Sequence, residues 1–568
     1  MKILSLIISI LFTFTIHAKS QSYYVDGVNG NNVNAGTSLA NAWKTIQKAF
    51  DAAVPGSVTY IRGGTYNAQL TMNVSGIAAN PIEFRNYQND TVLIDGTGLG
   101  ANPMIYIENK SNIILRNLTI QNLVINNAQG IQVVSTSSGS VSNLSFINLI
   151  LKNISWTTNP AAIPSSSKNS QPFIAYGEGI TQSNAITNII VDSCEFLNNL
   201  TGFSESLSFD GNIDGIIATN NRIHNNSNIG ILFAGNYHVS SVAALDHARN
   251  GKASGNICNN NISNYATNGG IYVDGAQDIL IEKNICYHNG WGIEIGCEEN
   301  GASSNIIVRN NLIYDNMEAG LAIGGYTTST TGQVLNCTIS NNSFVANNYS
   351  NSGNGEIYMT KASNCSFRNN VFYTNSQNIL FTREQISPQA GNNFDYNCWF
   401  TPPNSANNVR VNWGNTTLTG FSAYKTASGY DAHSLYTNPL LVNASVASEN
   451  FHLQSNSPCI NAGDTAFVAA SGETDFDGNN RVYDGIVDIG AYEHQNIFGA
   501  SNYVFTGDGS WNIPSNWMNN TVPPAIITNI TEIIIDPVST GECFFTGNLN
   551  LPTGSKITLM AAKKFRIN

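Results

Sequence analysis

Short apolar runs alternate with polar positions through the middle of the chain, and the alternation returns as a repeating phrase. An apolar or polar lead, Asn, a short alternating run and a second Asn recur as LRNLTIQN (115–122), FINLILKN (146–153), TNNRIHNN (219–226), EKNICYHN (282–289), RNNLIYDN (309–316) and RNNVFYTN (368–375). The leading Asn falls at Asn117, Asn148, Asn221, Asn256, Asn284, Asn311, Asn342 and Asn370, with Cys194 in its place in VDSCEFLNN; most spacings are 27 to 31 residues. Period-two alternation over a few residues is a strand signal. Three such strand patterns in each unit predict a solenoid whose coils stack about 4.8 Å apart, an all-β, right-handed parallel β-helix. A propeller blade would need about 40–50 residues. Alternating isoleucines are expected to fill the interior, and the recurrent Asn to stack into an amide ladder at one corner.

The pattern changes at both ends. Residues 1–20 hold a short basic start, an apolar run and a small residue at Ala18, and are read as a signal peptide. The chain is therefore expected to be secreted, and no other stretch is long enough to span a bilayer. Residues 21–100 are read as an N-terminal cap and first coils, with TIQKAFDAA (45–53) as a short amphipathic helix over the open end of the solenoid. Residues 101–400 carry the coils, 401–498 a terminal segment, and 499–568 a small C-terminal β module whose Trp and Pro spacing is unlike the repeat and which stops without a closing turn.

Composition narrows the partner more than the fold. Charged residues are 11% of the 568, against about a quarter in ordinary domains, and the net charge is −12. Abundant Val, Ile, Phe and Tyr with so little charge point to packed β-structure. The negative balance argues against nucleic acid and makes a polyanionic substrate a poor match. Nine Cys form neither a disulfide framework nor a CxxC zinc pair. Cys258 with Cys286, and Cys337 with Cys365, fall at equivalent repeat positions and read as stacked buried thiols.

Against this background GGIYVDG (269–275) and WGIEIGCEE (291–299) stand out, because both carry acids inside strand patterns. Alternation turns Ile271, Val273, Ile293, Ile295 and Cys297 inward, and Tyr272, Asp274, Glu294, Gly296 and Glu298 outward. A 22-residue offset sets Asp274 beside Gly296, with Gly324 and Ala234 in the same column. Glu294 and Glu298 then lie one coil away and two residues along, each about 8 Å from Asp274 between Cα atoms. Side chains leaning together reach the roughly 5–5.5 Å of a retaining glycosidase; leaning apart, they reach an inverting separation. Close acids push their pKa values apart, which suits one ionised and one protonated role. Tyr272, Trp291 and Tyr326 are candidate sugar-stacking platforms.

HARNGKASGNI (247–257), the two acidic runs and AGLAIGGY (319–326) together resemble secreted bacterial β-helix proteins related to the β-xylosidases of glycoside hydrolase family 120. The resemblance implies Asp274 as nucleophile and Glu298 as acid/base, with Glu294 as the alternative acid or a substrate-hydroxyl partner. It also implies roles for Arg249 and His247 in orienting a carboxylate or binding sugar hydroxyls. The expected partner is a neutral oligosaccharide or polysaccharide, and the mechanism requires neither cofactor nor metal. A uronate lyase is the first alternative; it needs a basic side chain, for which Arg249, Lys252, Lys283 and Arg309 are the nearby candidates. A non-catalytic carbohydrate-binding or adhesive surface protein is the second. DFDGNNRVYDG (475–485) imitates a calcium loop, but its Gly comes too early and no Glu closes it, so it reads as a structural turn.

Overall fold

The computed structural model describes residues 21–325, 330–403, 405–495, 503–525, 532–538, 541–547, 549–551, 555–560 and 563–567. The signal-peptide segment, residues 1–20, and Tyr326 lie outside the described residues. The chain divides into two compact units, Met1–Glu493 and His494–Asn568.

In the first unit, successive strands fall in rotation onto three parallel sheets, of 16, 13 and 13 strands among the described residues. This is the right-handed parallel β-helix that the repeat predicts. One coil contributes Gly269–Asp274 to the second sheet, Gln277–Glu282 to the first and Ile285–Tyr287 to the third. Inward Ile, Val, Leu and Phe fill the interior, and the expected inward set Ile271, Val273, Ile293, Ile295 and Cys297 is wholly buried.

The repeat phrase proves to hold two adjacent columns, which the alignment by eye merges. Asn221, Asn256, Asn284, Asn311, Asn342, Asn370 and Asn397 form the inward ladder, each amide donating to the carboxamide oxygen of the next at 2.9–3.1 Å. Asn117 and Asn148 belong one position earlier, outside the ladder. Register pairs Ile147 with Asp192, so Leu149, not Asn148, is level with Cys194. Asn117 and Asn148 sit at φ of 57° and 51°, in a corner column shared with Ser193, Asn220 and Asn310. The left-handed conformation favours Asn there for a backbone reason, whereas the inner ladder favours it for its paired donor and acceptor. The second Asn of the phrase builds another ladder, Asn199, Asn226, Asn261, Asn289, Asn316 and Asn347. It ends on the buried Glu356, whose Oε2 accepts from Asn347 at 2.6 Å. Burial pushes the Glu356 carboxyl up to about 8.

At the N-terminal end the helix Ile46–Ala52 starts at Thr45, whose hydroxyl accepts from Lys48 N–H, and buries Ile46, Ala49 and Phe50. Phe50 meets Phe84 at 4.6 Å between ring centroids, so the helix covers the first coils. At the other end Leu441, Phe451, Leu453, Ile489 and Tyr492 pack on Leu312, Tyr314, Val345 and Val371 of the third sheet. Here DFDGNNRVYDG is a turn: Asp475 accepts from the N–H groups of Asn479 and Glu493 at 2.7 and 3.0 Å. All nine Cys are buried and free, with Cys258 and Cys286 register partners. The second unit has two three-stranded parallel sheets around Phe505, Trp511, Trp517, Ile533 and Ile535.

Candidate active site

The second sheet presents the acids. Register pairs Asp274 with Gly296 and Gly296 with Gly324, and sets Ala234 on the other side of Asp274, as the offset predicts. Tyr272, Glu294, Ala322 and Tyr358 form the next outward column.

Outward does not mean solvated here. Loops rise over this face and leave two adjoining cavities, of about 550 and 250 Å³. Tyr272, Glu298, Phe203 and Ile229 line both, so they stand where the cavities meet. Asp274, Glu205 and Asp210 face the smaller cavity; Glu294, Trp291, Asn268 and Tyr358 face the larger. Among the described residues lining either cavity there is no Lys, Arg or His.

Asp274 is 2% exposed and held at both oxygens. Its Oδ1 accepts from the Glu298 N–H at 2.8 Å, and its Oδ2 accepts from the Tyr237 hydroxyl. Tyr272 packs its ring on Ile229, Leu232 and Ala234, and its hydroxyl donates to Glu298 Oε1 at 3.3 Å. It therefore acts on the Glu298 carboxyl rather than offering an open stacking face. Asp274 and Glu298 thus form one hydrogen-bonded unit spanning two coils.

Burial pushes Asp274 above the usual carboxylate range, and the like charge of Glu298 adds to it; the bonds from Tyr237 and the Glu298 N–H pull back. Burial also raises Glu298, opposed by the single bond from Tyr272. Both carboxyls are thus raised, Asp274 with two hydrogen-bond donors and Glu298 with one. Glu294 is pushed well above its ordinary value by burial and then by Glu298 and Asp274, and faces only the larger cavity. Two further acids extend the set. Burial lifts Glu205 to about 8 and Asp210 to about 7.

The glycines beside Asp274 serve neighbouring side chains. A Cβ on Gly296 would lie 2.7 Å from the Tyr272 hydroxyl, and one on Gly324 would lie 2.0 Å from Thr360 Oγ1. The column is small because side chains of adjacent coils fold over it.

Arg249 and His247 are not brought to the acids. Arg249 lies on the first sheet, paired with Asp214 at 3.1 Å and donating to Asn212 at 3.0 Å. His247 is buried behind Gly235, bridging to its backbone, and burial followed by the Arg249 charge lowers its pKa. Neither lines a cavity. Trp291 does line the larger one, stacked on Tyr358 at 5.6 Å and 11°. Sequence reasoning missed Tyr358, Tyr237, Asn268, Glu205 and Asp210. Two carried a readable signal. Tyr358 continues the Glu294 column, and Asp210 repeats the position of Asp274 two coils earlier, since Phe209 pairs with Phe233 and Phe233 with Val273. Tyr237 and Asn268 come from irregular segments without periodicity.

No family model matches the chain. A 79-residue stretch is 42% identical to pectate lyase PEL9 of Emericella nidulans, covering 13% of this chain and 18% of that protein. The crystal structure of pectate lyase Pel9A superposes with a TM-score of 0.45 at 14% identity, over 84% of this chain and 97% of that one. Over 455 residues the chain is 30% identical to the uncharacterized protein YwoF of Bacillus subtilis (strain 168), covering 77% of this chain and 92% of YwoF. These comparisons tie the chain to YwoF over most of its length and to a pectate lyase over a short stretch, rather than to glycoside hydrolase family 120 specifically. The chain belongs to the family of the Bacillus subtilis protein YwoF.

Proposed function

We propose that this protein is a secreted carbohydrate-active enzyme that cleaves a neutral oligosaccharide or polysaccharide by hydrolysis with retention. Asp274 attacks the anomeric carbon, and Glu298 first donates its proton to the leaving oxygen, then takes one from water. One observation carries the reading: two buried carboxyls, Asp274 tied to the Glu298 backbone N–H and Glu298 to the Tyr272 hydroxyl, at the junction of two cavities whose described lining holds five acids and no basic side chain. A neutral sugar enters such a groove without an uncompensated charge; a uronate adds like charge. Glu294 lies on the larger-cavity side, which supports a substrate-binding role for it and Glu298 as the acid/base.

Lyase action on a uronate polymer is the second reading, favoured by the stretch shared with the pectate lyase. It needs a base, and the four cations named for that role are engaged elsewhere. Lys252 binds Glu282 at 2.6 Å, Arg309 binds Glu282 and Glu473 at 2.8 Å, Lys283 binds Thr474, and Arg249 binds Asp214. The test is a panel of aryl glycosides, aryl β-xyloside included, with wild type, Asp274→Ala and Glu298→Ala. Loss of turnover in the first and azide rescue in the second support the retaining pair. A folded wild type that releases no aglycone, yet forms unsaturated products from a uronate polymer, moves the function to the lyase reading.

A further inference from the structure

The acids leave unexplained the most unusual polar group in the larger cavity. Asn268 is 3% exposed, yet neither its Oδ1 nor its Nδ2 has a hydrogen-bond partner among the described residues. Other buried side chains leave a single polar atom unpaired, Asn259, Asn341 and Asn369 included, but among the described residues Asn268 alone leaves both amide atoms so. Leaving a buried amide unpaired is costly, and a group kept at that cost points to a ligand. Its backbone is fixed, because the Asn268 carbonyl accepts from Trp291 N–H at 2.8 Å. That bond ties the segment to Trp291, whose ring is stacked on Tyr358 and lines the same cavity as Asn268. Glu294 lines the same cavity and packs beside the next residue: a Cβ at Gly269 would lie 3.1 Å from Glu294 Cβ.

We propose that Asn268 is a sugar-binding residue, its carboxamide gripping neighbouring hydroxyls of a ring that lies against Trp291, itself backed by Tyr358, with Glu294 binding a further hydroxyl. The proposal rests on the saccharide reading above and deepens it. A carboxamide offers a donor and an acceptor side by side, which complements two adjacent hydroxyls, each both donor and acceptor. Apolar sugar faces stack on aromatic rings while their hydroxyls reach the rim. The larger cavity thus becomes a recognition subsite separate from the Asp274–Glu298 junction, so the substrate spans both cavities and has at least two rings.

The test uses calorimetric titration of full-length Asp274→Asn chain with xylobiose, longer xylo-oligosaccharides and a panel of other neutral oligosaccharides. Asn268→Leu and Asn268→Ala are each added to that background. The expected result is a 10- to 100-fold loss of affinity in both, from two lost hydrogen bonds, with the thermal midpoint unchanged or raised. Unchanged affinity overturns the site, and so does a midpoint lowered by several degrees, which makes Asn268 a structural group. Binding that depends on Asn268, with no glycoside turned over by wild type, leaves the subsite standing and removes the hydrolase reading. Absence of binding by every saccharide overturns both.

Discussion

Two faces of the same coils treat acids in opposite ways. On the first sheet three acids are matched by cations: Glu83 with Arg116 at 3.0 Å, Asp214 with Arg249 at 3.1 Å, Glu282 with Lys252 and Arg309 at 2.6 and 2.8 Å. Burial pushes Glu282 up, but the bonds from Lys252 and Arg309 more than offset it and hold the carboxyl below its ordinary value. On the second sheet Asp274, Glu294, Glu298, Glu205 and Asp210 gather without a cation among the cavity-lining residues, and burial lifts all five. The backbone scaffold is shared, so the difference lies in what stands in the neighbouring column. An Arg or Lys one coil away gives an acid an ion pair; a Gly, Ala or Tyr one coil away, under a loop, leaves it without one.

The sharpest way to break the comparison is to remove the anion. Asp274→Asn keeps shape and the bond from the Glu298 N–H, with the Tyr237 hydroxyl turned to accept from the new amide, yet is expected to cost on the order of 10⁴-fold in kcat/KM, while Glu282→Gln on the first sheet leaves turnover within about twofold. Steady-state kinetics on one aryl glycoside checks both. Glu298→Gln is expected to lose about 10²–10⁴-fold, least on substrates with good leaving groups. Gly296→Ala leaves every acid in place but pushes on the Tyr272 hydroxyl at 2.7 Å, and is expected to lower kcat about tenfold by disturbing the Glu298 carboxyl.

The smallest effects are thermal and have opposite signs. Glu205 is raised from 4.5 to about 8, so between these values the folded chain keeps a proton that the unfolded chain has released. Its contribution is full below 4.5 and is lost as pH rises through 8. Glu205→Gln should therefore shrink the fall in thermal midpoint between weakly acidic and weakly basic buffer, by roughly 2 °C. Glu282 is lowered, so its contribution is present above 4.5 and is lost as pH falls. Glu282→Gln should lower the midpoint at neutral pH by about 1–2 °C and converge with wild type in acid. Melting curves across pH separate the two.

Much of this contrast was legible in the residues. Alternation and a near-30-residue period dictate the stacked coils, and a 22-residue offset dictates that Asp274 meets Gly296. The two Asn columns were not separable by spacing, because a corner Asn and a ladder Asn stand next to each other and serve different physics. The site was legible only along strands. Strand parity gives Asp274, Glu294 and Glu298, and extending the same columns gives Asp210 and Tyr358. The burial that changes the acids' chemistry comes from loops without periodicity, the ones that carry Tyr237 and Asn268. The same parity turns Tyr272 outward to the cavity junction but does not tell that its ring packs on Ile229, Leu232 and Ala234. Arg249 and His247 are near in sequence but turn onto a different sheet.

Hydrolysis of a neutral glycoside by the Asp274–Glu298 pair is tested most directly by following the products of neutral and uronate oligosaccharides by proton NMR, with wild type and Asp274→Asn in parallel. The expected result is saturated reducing sugar from a neutral substrate, first appearing with the anomeric configuration of the bond that was cut, and none from the variant. Unsaturated uronate product, formed equally well by Asp274→Asn, would contradict it.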